Sequence, residues 1–132
     1  MKTYLYILLS FSSCLSYAND YEYMRNLKDD VNAIRILEER SKKGETKAQV
    51  RLGGIYISPG KHQNYNKAFY WYKKSAEAGD DVGQLALAIM YERGQVPNTS
   101  FEIARKEAIK WYKLSAKNGN PVAQFNLQAI KQ

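Results

Sequence analysis

An all-α fold, a short α-α superhelix or solenoid of stacked antiparallel helix pairs, is what this sequence predicts, and three observations predict it. The first is duplication. Ala68, Trp71, Tyr72, Lys73, Ser75, Ala76, Gly79, Val82, Gln84 and Leu87 recur 40 positions on as Ala108, Trp111, Tyr112, Lys113, Ser115, Ala116, Gly119, Val122, Gln124 and Leu127. The second is spacing, because apolar residues return every three or four positions, as on one face of a helix. The third is punctuation: Gly44, Gly79 and Gly119 each end such a run. A chain of 132 residues, 45% hydrophobic and 25% charged, suits one globular domain rather than a disordered one.

Taken in order, the chain begins with MKTYLYILLSFSSCLSYA, in which Lys2 precedes an uncharged run and Ser16 and Ala18 stand at minus three and minus one of a cleavage point. Residues 1–18 are expected to be a secretory signal peptide, leaving a domain at 19–132. The uncharged run is short for a bilayer and gives way at once to Asp20 and Glu22, so no transmembrane span is expected in the mature chain. Export to the periplasm is the expected location. Lipidation at Cys14 is a second route, although Phe11, Ser12 and Ser13 lack the usual aliphatic residue. Cleavage after Ala18 removes the 1 cysteine, so the exported domain would hold together without disulfides. The formal charge of +7 falls by one with Lys2 and stays basic, which favours acidic partners or anionic surfaces.

Residues 21–44 read as a degenerate first repeat, with Leu27, Val31, Ile34 and Leu37 on an amphipathic stripe. A slide of 35 sets Ala33 against Ala68, Ile36 against Trp71, Leu37 against Tyr72 and Gly44 against Gly79. The second repeat, 45–79, has a short helix at KAQVRLGGIY, a break at Ser58, Pro59 and Gly60, and a longer aromatic helix. The third, 80–119, repeats the plan from VGQLALAIMY, with Gly94 and Pro97 as breakers. Gln49, Leu52, Ile55 and Tyr56 correspond to Gln84, Leu87, Met90 and Tyr91. Tyr91 lies 17 residues before Ala108 and Tyr56 only 12 before Ala68, so five added residues within PNTSFEIARKE should lengthen a loop or extend a helix. Gly53 and Ala88 are small where a neighbouring helix approaches, whereas the last copy has Gln128 and Lys131. Residues 120–132 are therefore expected to form a polar capping helix. Asp80 and Asp81 open a helix, where carboxylates cap free amides.

Four stretches, AQVRLGGIY, KAFYWYKKSAEAG, GQLALAIMYERGQV and EAIKWYKLSAKNGNPVAQFNL, resemble the SEL-one-like repeat (SLR), a relative of the tetratricopeptide repeat (TPR). The resemblance runs from about Asn32 to Ile130. Ala48, Leu52, Gly53 and Tyr56 match its Ala-x-x-x-Leu-Gly-x-x-Tyr run, and Leu87 and Tyr91 follow in the next copy. Ala68, Trp71, Tyr72, Ala76 and Gly79 match its Trp-Tyr helix, as do Ala108, Trp111, Tyr112, Ala116 and Gly119. The departures are in loops: the usual Gly-x-Gly-Val turn is reduced to Gly94, Gln95 and Val96 and is absent after Tyr56. The resemblance implies a right-handed superhelix with a concave surface, used as an adaptor for other proteins.

Catalysis has few parts to work with. His62 is the 1 histidine and lies in a polar loop. No cysteine remains after cleavage to serve as nucleophile or soft ligand, and Asp29, Asp30, Glu38 and Glu39 read as a solvated helix face. Gly53 and Gly54 lie in a helical pattern without the lysine of a phosphate loop. No enzyme activity, catalytic residue, metal or cofactor is expected. The aromatics recur at repeat positions and read as core, which with export argues against nucleic acid. The partner is expected to be another protein, met by Lys47, Arg51, Met90 and Arg93 of the short helices and by His62, Tyr65 and Tyr70. The leading function is a periplasmic adaptor holding an extended segment or acidic patch. The alternative is an immunity protein that neutralises a periplasm-acting antibacterial effector such as a lipase.

Overall fold

The computed structural model describes residues 31–130. Within them lie α1 (Val31–Lys42), α2 (Thr46–Ile57), α3 (Tyr65–Glu77), α4 (Asp81–Glu92), α5 (Phe101–Lys117) and α6 (Pro121–Ile130). The expected leader, Cys14, Leu27, Asp29, Asp30 and Lys131 fall outside the described residues. Two helix pairs, α2–α3 and α4–α5, are flanked by α1 and α6. Each helix packs on its neighbours in sequence, and α2 also touches α4. The short helices α2, α4 and α6 thus make one layer and α1, α3 and α5 the other. Direct contact between the short helices α2 and α4, with none of that extent between successive long helices, makes theirs the inner, tighter layer.

The turns between units follow from glycine. Gly44, Gly79 and Gly119 have φ of 90°, 91° and 90°, a region costly for residues with a Cβ. There the amide three residues past each helix returns to a carbonyl in its last turn, as Asp80 N–H does to Ser75 O at 3.1 Å. A second clasp repeats across each turn: the Gln49 amide donates to Ser41 O at 3.0 Å, Gln84 to Ala76 O at 3.2 Å and Gln124 to Ala116 O at 3.5 Å. Each satisfies a helix-end carbonyl that has no partner within its own helix.

After two of these turns the next helix is started by a side-chain cap, whereas Glu45 before α2 makes none. Asp80 accepts from Gly83 N–H at 2.9 Å, and Asn120 from Ala123 N–H at 3.1 Å. Asp81, expected to cap as well, instead accepts from Asn120 Nδ2 at 2.7 Å and so ties one turn to the next. The five added residues divide four to one. Helix α5 has 17 residues against 13 in α3, and the loop before it spans 93–100 against 58–64.

Trp71, Trp111, Tyr72, Tyr112, Leu52, Leu87 and Tyr56 are buried in one core. Gly53 earns its place there, since a Cβ at that position would lie 2.6 Å from the Tyr72 ring. In α1 the expected stripe holds for Ile34 and Leu37 but not for Val31, which is 70% exposed at the first residue of the helix. Ile36, matched to buried Trp71, is also exposed.

Candidate functional site

On the short helices, one face is turned away from the long-helix layer, and it is apolar. Equivalent positions hold Val50, Leu85 and Phe125, and one turn earlier Lys47, Val82 and Val122. Val82 and Val122 are each 46% exposed and Phe125 is 71% exposed. The Val82–Val122 pair is part of the 40-residue repeat, yet it is not core. A repeat position left in solvent is available to something other than folding.

The expected cap α6 shares this face. Val122 and Phe125 are exposed there, while Gln124 and Gln128, also exposed, stand at the positions of buried Gln84 and Ala88 on the other side of the helix.

Of the residues expected to meet a partner, Lys47 and Arg51 lie exposed on α2 and Arg93 at the end of α4. Met90 does not join them. It is fully buried on the side of α4 that carries Leu87, so it belongs to the core and not to the surface. Tyr70 is exposed on the opposite layer, where it packs edge-on against Trp71 with ring centres 4.8 Å apart and Lys74 Nζ 5.5 Å from its own ring centre. His62 is half-buried in the α2–α3 loop, and its Nε2 is enclosed without a hydrogen-bond partner.

Tyr65 and Arg93 are brought together. They line a cleft of about 380 Å³ between the α2–α3 loop and α4, with Ile57, Ala86, Ile89 and Gln95. Tyr65 is placed by the Asn64 cap, whose Oδ1 accepts from Lys67 N–H at 2.9 Å, and its hydroxyl lies 3.4 Å from Gln63 Nε2. Tyr72 forms part of the same lining, and burial pushes its phenol well above the ordinary range. None of the residues lining the cleft is acidic. The arrangement offers donors, a guanidinium and apolar walls, which suits recognition of a partner's side chains.

Tyr72, Phe125 and Gln95 were not foreseen as site residues. The repeat match marks Tyr72 as core, and nothing in sequence separates its buried ring from its hydroxyl. Phe125 carries a legible signal, because it occupies the position of Val50 and Leu85 on a helix face that the stacking positions leave open.

Outside, the long-helix layer is basic: Lys106, Lys110 and Lys113 line an open groove on α5 with Ile109 and Leu114. Among the described residues no helix is long and apolar enough to cross a membrane, and no three side chains are grouped to hold a metal ion.

A family model described as Sel1 repeat matches residues 46–80 and 82–120, the spans of the two complete helix pairs. Among solved structures, a Sel1 repeat protein from Oxalobacter formigenes is 33% identical with a TM-score of 0.64, covering 76% of this chain and 74% of its own. A protective antigen present in uropathogenic Escherichia coli strains, displaying an SLR fold, is 35% identical with a TM-score of 0.63 over 77% of this chain and 21% of its own. No curated protein matches the chain.

Proposed function

Because the chain belongs to the Sel1 repeat family, whose stacked helix pairs are protein-interaction modules, we propose that it is an exported adaptor that holds a partner protein along the inner face of its short helices. The observation that carries this is the apolar ladder of exposed Val82, Val122 and Phe125 with half-buried Leu85, bordered by Lys47, Arg51 and Arg93. An apolar strip with a basic border fits an extended segment that alternates apolar and acidic residues. Export is supported by the leader-like first 18 residues.

The test is affinity capture from a periplasmic extract with the unaltered chain and with an Arg51→Glu, Arg93→Glu variant. A saturable partner should be retained by the first and lost by the second at unchanged helix content. Equal capture by both would remove the inner face from consideration. Cytosolic fractionation of the native protein would overturn the export reading.

The same leader also supports the narrower immunity role, in which the face occludes the mouth of an effector's active site. Co-expression with the product of a neighbouring reading frame in the periplasm decides it: relief of killing supports the role, and unchanged killing ends it.

A further inference from the structure

The two complete units differ at one buried point. In the second unit the Tyr112 hydroxyl donates to Glu92 Oε2 and accepts from Asn126 Nδ2 at 3.4 Å. Its counterpart 40 positions earlier is Tyr72. Glu92 corresponds to Ile57, 35 positions earlier, and Asn126 to Ala86, 40 positions earlier. Neither replacement can make a hydrogen bond. Tyr72 is only 6% exposed, and its hydroxyl has no hydrogen-bond partner among the described residues.

Both replacements and Tyr72 line the 380 Å³ cleft. In the second unit a smaller cavity of about 120 Å³ lies beside Glu92 and Arg105, which stand for Ile57 and Tyr65, and neither Tyr112 nor Asn126 lines it. Around the larger cleft, Arg93 forms no ion pair among the described residues, and Gln95 Oε1 is buried without a partner. Turning the Gln95 amide over presents its NH₂ to the same space. The first unit therefore has the hydroxyl, a guanidinium and room, and it lacks the acid.

We propose that this cleft receives a glutamate or aspartate side chain of the partner, which accepts from Tyr72 and pairs with Arg93 in the place that Glu92 takes in the next unit. The proposal rests on the adaptor reading above and names one anchor of the partner. The partner's carboxylate supplies an acceptor for the Tyr72 hydroxyl, which opens onto the cleft, and Arg93 at the rim offsets the cost of drawing the charge from water.

Amide-shift titration of the isotope-labelled protein tests it, with Ac-Ala-Ala-Glu-Ala-Ala-NH₂ as the probe and its glutamine counterpart as the control. The glutamate peptide should give saturable shifts at Arg93 and Gln95, with the glutamine peptide about tenfold weaker, the size expected for one charge-assisted hydrogen bond. Tyr72→Phe, which removes a hydroxyl without a partner and keeps the ring, should weaken the glutamate peptide by about the same factor at an unchanged melting midpoint. Ile57→Glu, which restores the second unit's acid within the chain, should abolish binding. Equal affinity for the two peptides, or unchanged binding in both variants, would overturn the proposal. Partner capture that survives Tyr72→Phe would leave the adaptor standing without this anchor, whereas peptide binding with no saturable periplasmic partner would do the reverse.

Discussion

At the scale of the residue, the repeated rings carry both stability and its dependence on pH. Trp71 is buried in the shared core, so Trp71→Ala should cost about 3–5 kcal/mol through lost contacts and the cavity left behind. That is a large share of the roughly 5–15 kcal/mol of a typical domain, and a urea melt should show the midpoint collapse. Tyr56 is a different kind of contributor. Burial, and then the hydrogen bond to Glu38 Oε1 at 2.8 Å, pushes its phenol up from 10.0 to about 12. The unfolded phenol therefore ionises first as pH rises. Its contribution is complete below pH 10.0 and is lost as pH climbs towards about 12. Melting midpoints should fall across that alkaline window, and Tyr56→Phe should flatten the fall. Tyr72 and Tyr112, both shifted in the same direction by burial, keep part of the slope. The rings were legible in sequence because they repeat. Their hydroxyls were not, because a hydrogen-bond partner from another helix leaves no mark beside the tyrosine, and Met90 was misplaced because one residue of helix phase separates core from surface.

At the scale of the element, each helix was readable from periodicity and from its ends, while the clasps that join helices were only half readable. Gln84 repeats at 40 positions as Gln124, which marks a constraint without naming it. The structure supplies the reason in a carbonyl eight residues back that the preceding helix leaves unpaired. Gln84 also accepts from Asn118 Nδ2 at 3.0 Å and is buried, so Gln84→Leu removes two hydrogen bonds, although Ala76 O keeps Gly79 N–H at 3.1 Å and Asn118 Nδ2 keeps Gly79 O at 3.4 Å. A loss of about 1–3 kcal/mol is expected from chemical denaturation. Gln124→Leu at the exposed end should change stability by less than about 0.5 kcal/mol. Similar losses at the two sites would show that the clasp's worth does not depend on burial. The added residues before α5 show the same boundary of legibility. Sequence spacing counts them, but only the Ser100 cap, whose Oγ accepts from Ile103 N–H at 3.4 Å, assigns four of them to the helix.

At the scale of the whole molecule, packing is strictly local, since each helix rests on those beside it in sequence. The stacked architecture was therefore open to inference from a period alone, without any distant pairing to guess. The partner's side of the molecule was less open, because residues that bind are free to vary between units while residues that stack are not. Local packing also predicts a gradient: α4, held by α2, α3 and α5, should show the slowest amide exchange, and α6, supported among the described residues chiefly by α5, the fastest. Uniform protection along the stack would mean that the units do not open separately. The same arrangement has a mechanical side. Among the described residues no strand pairing is there to shear and no extensive contact closes one end of the stack on the other, so a pull on the two ends is borne by one interface after another. Such a molecule stretches as a spring whose coils yield in turn from the weaker end, and a partner held along its inner face would stiffen it.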